Sequence, residues 1–179
     1  MLLPLQSSMS CHNRISPLPQ TRGETDSVVD ISTRQARVAQ DIEIDFATLQ
    51  PFERVTTQYA ALGAVFEQAI AIVPSNPIFR HAPDALVVMP LTHHKYLYIH
   101  LTPFRKKVEI TVCGAKPVAM TAYDREGNIL CHTCSLACSD RQPEAVLSSQ
   151  HLAILATGIA KVMVHSQAPF SIERFGAGG

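Results

Sequence analysis

The sequence predicts an all-β fold, either a sandwich or a barrel. Three observations carry that prediction. Apolar and polar residues alternate at period two in several separate segments. Gly, Asn, Asp and Pro punctuate the intervals between them. The composition is globular: 46% of the 179 residues are apolar and 17% are charged, enough for one domain with a substantial core.

Residues 1–38 read as a flexible N-terminal tail. "SPLPQTRGETDSVVDISTRQ" mixes Pro, Ser, Thr and charge with no sustained apolar period. The domain is expected over 39–176. Its first strand is "DIEIDF", with Ile42, Ile44 and Phe46 on one face and Asp41, Glu43 and Asp45 on the other. "YLYIHL" sets Leu97, Ile99 and Leu101 against Tyr96, Tyr98 and His100. "KVEITV" sets Val108, Ile110 and Val112 against Glu109 and Thr111. "PVAMTAYD", "AKVMVH" and "PFSIERF" are further strands. "DREGN" is a hairpin turn whose Gly127-Asn128 pair suits positive φ. The terminal "GAGG" is expected to be a flexible end.

One segment resists this pattern. "VTTQYAALGAVFEQAIAIV" spaces Val55, Tyr59, Leu62, Phe66, Ala69 and Val73 as an amphipathic helix ending before Pro74. Gly63 costs such a helix about 1 kcal/mol relative to Ala. It serves equally as the cap of a short helix followed by the strand "AVFEQA". Periodicity alone leans slightly to the long helix.

A resemblance favours the second reading. "IDFATLQPFERVTTQYAALGAVFEQAI" resembles the opening of a bacterial galactose-binding-like, carbohydrate-binding-module-like family. That family typically reads Asp-Phe-Glu, a short loop, Val-Thr-x-Gln-Tyr, then Leu-Gly-Val-x-Phe. "PVAMTAYDREGNIL" is similar to its strand–hairpin–strand, and "GIAKVMVHSQAPFSIERF" to its closing pair of strands. The resemblance covers roughly residues 42–175. It implies an antiparallel jelly-roll β-sandwich with a short helix or loop near residues 53–62. It also implies a secreted or surface location, and many members resemble carbohydrate-binding modules without a defined ligand.

The resemblance further implies a structural calcium near the first and last strands. Calcium takes six to eight oxygen ligands, and Asp45 and Glu173 are the candidates here. The chain departs from the family pattern at Ala47 and at Glu173-Arg174, where the family has Glu and Asp-Asn. The alternative is that both acids are ordinary polar-face residues.

The expected ligand face is "HHKYLYIH". His94, Tyr96, Tyr98 and His100 share one parity, spaced ~6.6 Å apart along a strand. Two tyrosines so spaced offer ring faces and phenols to a sugar or other flat ligand. The competing reading is a half-buried face built from good strand formers, and no Trp is present to strengthen a sugar platform. The loops at 75–94 and 131–146 are the other candidate ligand contacts. His93 and His94 point to opposite faces in a strand, so they share an ion only across a turn.

"CHTCSLACSD" holds three of the chain's five cysteines. If the strand continues through it, Cys131 and Cys134 face opposite ways. If it turns helical, Cys131, Cys134 and Cys138 share a face, and zinc or an iron–sulfur cluster becomes feasible with Cys113 or a distant His. Disulfides between Cys134 and Cys138, or Cys131 and Cys113, are further options, as are plain buried or half-buried thiols.

Lys plus Arg and Asp plus Glu both number 15. That balance leaves no electrostatic footprint for nucleic acid or an anionic membrane. No apolar run reaches the ~20 residues of a membrane helix. The N-terminus lacks the basic start of a signal peptide. Nucleophile elbow, phosphate loop, His-Glu-x-x-His and dinucleotide signatures are all absent. The sequence therefore predicts a non-catalytic binding module for carbohydrate or a surface partner. The alternative is a metal-binding or redox-linked protein using Cys131, Cys134 and Cys138.

Overall fold

A computed structural model describes residues 40–76, 79, 85–91, 95–136 and 147–179. The expected N-terminal tail, and the loop residues 80–84 and 137–146, lie outside the described residues. The strands in chain order are β1 (Ile42–Ile44), β2 (Arg54–Val55), β3 (Ala64–Glu67), β4 (Ala69–Ile72) and β5 (Val87–Pro90). They continue with β6 (Tyr96–Gly114), β7 (Val118–Tyr123), β8 (Ile129–Cys134), β9 (Gln150–Ser166) and β10 (Phe170–Gly178). All their pairings are antiparallel. No helix among the described residues is long and apolar enough to cross a membrane.

The hydrogen-bonded order runs β2-β4-β5-β10-β6-β9-β7-β8, with β1 on β10 and β3 on β6. Late strands lie between early ones: β10 between β5 and β6, β9 between β6 and β7. That interleaving is the Greek-key habit of a jelly roll.

"YLYIHL" and "KVEITV", expected as separate strands, are the two halves of the 19-residue β6. The register of β6 with β9 shifts between His100 and Arg105, and again between Arg105 and Lys107. Pro103 lies in this stretch and has no N–H for the ladder. The bend inverts the parity of burial. Leu97, Ile99 and Leu101 are buried before it, and Val108, Ile110 and Val112 after it. β9 bends alongside, so both strands cross from one layer of the sandwich to the other.

The layers meet in one core. Leu97, Ile99, Met120 and Val164 from one side join Ile110, Ile154 and Phe175 from the other. Phe66 on β3 packs edge-on against Phe175 on β10, ring centroids 5.9 Å apart. Phe46 and Tyr59 complete the aromatic cluster at 5.9 and 6.0 Å from Phe66. These contacts give the "IDF", "QY" and "VF" motifs a shared physical purpose.

The long helix favoured by periodicity does not form. A 3-10 turn at Ala60–Leu62 ends at Gly63, and β3 begins at once. Gly63 has φ +87°, and an added Cβ would overlap the Thr102 carbonyl oxygen. Its own carbonyl accepts the Thr102 N–H at 2.9 Å. Arg105, only 2% exposed, fastens the same bend. Its Nη1 donates to the Gln40 carbonyl at 2.7 Å and its Nη2 to the Leu62 carbonyl at 3.3 Å.

The "DREGN" hairpin forms as expected, though only Gly127 of its Gly127-Asn128 pair takes positive φ. Gly127 has φ +88°, and Asp124 accepts from the Asn128 N–H at 2.8 Å and Nδ2 at 2.9 Å. The C-terminal glycines differ from expectation. Gly176 and Gly178 lie within β10, paired with Glu109 and Lys107 of β6. Two flanking strands hydrogen-bond that segment and hold it extended.

Candidate functional site

The β3–β6–β9–β7–β8 layer turns a patterned outer face to solvent. Register lays it out in rows. Tyr96 lies opposite His165, then Ala119, then Cys134. In the next row Glu67, Tyr98, Met163, Thr121 and His132 line up. In the third, Val65, His100, Lys161 and Tyr123 follow. These positions share a face because side-chain direction alternates along each strand.

Tyr96, Tyr98 and His100 stand together, as the alternation predicted. The Tyr96 and Tyr98 ring centroids are 5.4 Å apart at 55°, and Tyr98 and His100 are 6.5 Å apart at 48°. His94, the fourth predicted ligand residue, lies outside the described residues. Burial raises the Tyr98 phenol above its ordinary 10.0, with smaller contributions from Tyr96, Tyr123 and Glu67. The hydroxyl therefore stays protonated at neutral pH and can donate.

Sequence reasoning missed the rest of this face. Lys161 reaches across Tyr98, its Nζ 5.2 Å from the ring centroid, and lies 4.9 Å from the Tyr123 ring. Both distances fit cation–π contact. The Tyr123 hydroxyl lies 4.0 Å from the Met163 sulfur. His100 Nε2 and Glu67 Oε2 are 3.1 Å apart. Thr121 Oγ1 and His132 Nδ1 are 2.9 Å apart. His165 Nδ1 is buried without a hydrogen-bond partner among the described residues. Burial, with help from His132, lowers the His165 pKa below its ordinary 6.5.

The cysteine stretch continues as strand β8. Cys131 is half-buried and packs against the core, while Cys134 is exposed on the outer face. The local helix that a shared metal site required does not form over Cys131–Cys134, and opposite faces of one strand cannot supply one ion. Cys131 and Cys134 are free thiols, the plain reading of the cysteine stretch. Cys113 is buried on β6, its Sγ 3.7 Å from the Leu147 carbonyl. Cys138 lies outside the described residues.

The acids expected at a calcium site have local partners. Asp45 accepts the Ala47 N–H at 3.1 Å, and Glu173 accepts the Ser149 hydroxyl at 2.7 and 2.8 Å. Among the described residues no three His, Cys, Asp or Glu side chains converge as a metal site.

A groove of about 480 Å³ marks the outer face of the other layer. Gly176 and Gly178 line it, the Asp41 carboxylate lies against Gly178, and Glu43, Glu109, Lys107, Arg174 and His151 stand around it. Glu109 is within 2.8 Å of Lys107 and 3.4 Å of His151. The Lys107 hydrogen bond is the main cause that holds its carboxyl below the ordinary 4.5.

No protein-family model matches the chain, and no curated protein sequence matches it. Its fold is similar to solved structures at low identity. A cleaved adhesin domain of Lys-gingipain from Porphyromonas gingivalis aligns at 12% identity and a TM-score of 0.43, covering 77% of this chain and 97% of that one. A family 29 carbohydrate-binding module from Piromyces equi aligns at 9% identity and a TM-score of 0.36, covering 64% of this chain and 91% of that one. The sandwich itself rests on this chain's own strand register and shared core.

Proposed function

We propose that this protein is a non-catalytic binding module whose outer face around Tyr96, Tyr98 and Tyr123 takes a carbohydrate. The observation that carries the reading is the tilted Tyr96–Tyr98 pair, 5.4 Å between centroids, held on a rigid strand and bordered by polar side chains. Sugar rings present apolar C–H faces to aromatic rings and hydroxyls to donors and acceptors. Strands position such groups with little ordering cost on binding. Of the residues in the three rows, Glu67 is the one carboxylate, and it is engaged by His100. Glycoside hydrolysis needs two carboxyl groups flanking the bond, so the face is suited to holding a saccharide rather than cleaving it. Such a module works where polysaccharide is met, at a cell surface or outside the cell.

Affinity electrophoresis through gels containing different polysaccharides tests this. Retention by at least one polymer is expected, unchanged by chelator and lost in the Tyr96→Ala/Tyr98→Ala double variant. A double variant with wild-type circular dichroism that is still retained would overturn the assignment of this face.

A further inference from the structure

We infer that the saccharide taken by this face is anionic, and that Lys161 is the residue that reads its charge. The inference rests on the carbohydrate reading of the face and adds to it the class of sugar. Lys161 is held in place by two tyrosine rings, at 5.2 and 4.9 Å. A ring attracts an ammonium but does not neutralise it. Among the described residues no carboxylate lies within ion-pair distance of Lys161. The acid of the face, Glu67, already has His100 at 3.1 Å. The Tyr98 phenol does not offset it either, because burial disfavours its ionised form.

The consequence concerns what happens when a ligand covers the row. A neutral sugar lying on Tyr98 would strip water from the ammonium and return only hydroxyl contacts. A sugar carrying an anion would return a charge-assisted hydrogen bond. Register places Lys161 beside His100 and Tyr123 and one row from Tyr98. A ring stacked on the Tyr96–Tyr98 pair can therefore bring a ring substituent to the ammonium. A uronate carboxylate and a sulfate ester both meet this requirement, because an ammonium acts as a point charge without a planar fork.

The test compares one neutral polymer and two anionic ones: dextran, dextran sulfate and polygalacturonate. Affinity electrophoresis and titration calorimetry would measure each with the full chain and with Lys161→Met and Lys161→Arg. At least one anionic polymer should bind about 10-fold or more tighter than dextran, and Lys161→Met should remove that preference. Lys161→Arg should retain it. Added salt should weaken anionic binding and leave neutral binding unchanged. The polymer that binds identifies the anion as carboxylate or sulfate.

Equal binding of dextran and both anionic polymers, or Lys161→Met without effect, would overturn the charge inference and leave the tyrosine face standing. Failure to bind any polymer here and across the wider panel would overturn both. If Lys161→Met does not fold, the salt series on the unmodified protein and the Lys161→Arg variant decide the matter.

Discussion

On one outer face of the sandwich Glu109 sits between Lys107 and His151; on the other Lys161 sits between two tyrosine rings. β6 and β9 contribute to both faces, one half of each strand apiece. The groove face is concave, and Glu109 there already contacts Lys107 and His151. On the aromatic face Lys161 lacks a neutralising acid among the described residues. Charges already paired have little left to offer a ligand, and displacing them incurs desolvation. The proposed site therefore rests on the tyrosines and the unneutralised ammonium rather than on concavity.

The bend that creates the two faces is the first place to break the comparison. Gly63→Val should have the largest effect, because it attacks the joint rather than either face. Valine at φ +87° is strained, and its side chain would meet the Thr102 carbonyl. A loss of about 2 kcal/mol or more is expected, read as a fall in thermal midpoint by circular dichroism. A variant melting at the wild-type temperature would show that β6 turns without Gly63.

That joint also marks how far the sequence could be read. Period-two alternation placed Tyr96, Tyr98 and His100 on one face, and strand parity correctly separated Cys131 from Cys134 if the strand ran on. Gly127 announced its hairpin through local φ preference. Each of these depends on neighbours a few residues away. The bend at residues 101–107 is different: "YLYIHL" and "KVEITV" become one strand because β9 bends beside them. Lys161 reaches Tyr98 and Tyr123 only because β9 lies between β6 and β7, a pairing no local pattern contains. The same non-local pairing turns the "GAGG" end into strand. "AKVMVH" did carry a usable signal, since Lys161, Met163 and His165 share a parity, but their neighbours were not legible.

The second test separates the faces by ligand binding. Tyr98→Ala should weaken saccharide binding about 10-fold or more, since Tyr98 is central to the row. Glu109→Gln, on the groove face, should leave it within about twofold. Calorimetry against whichever polymer is retained measures both. If Glu109→Gln abolishes binding while Tyr98→Ala does not, the groove is the site.

The smallest expected effect lies in acid stability, where the two faces should titrate in different windows. Folded His165 holds a proton less readily than the unfolded chain, chiefly because its ring is partly buried and secondly because His132 faces it. Its contribution is fully present above the ordinary 6.5 and is lost as pH falls through that value toward the lower folded one. Glu109 is also depressed, by the Lys107 hydrogen bond first and His151 after it. Its contribution is present above the ordinary 4.5 and is lost as pH falls through that value toward the folded one. Thermal midpoints measured from about pH 7 to 3 should therefore decline in two stages. His165→Gln should flatten the first stage and Glu109→Gln the second. Glu109 is partly exposed, so solvent screening keeps its stage shallow. A His165→Gln curve that keeps the full decline below the ordinary 6.5 would mean that burial of this ring does not govern the aromatic face. The acid sensitivity would then belong to other histidines.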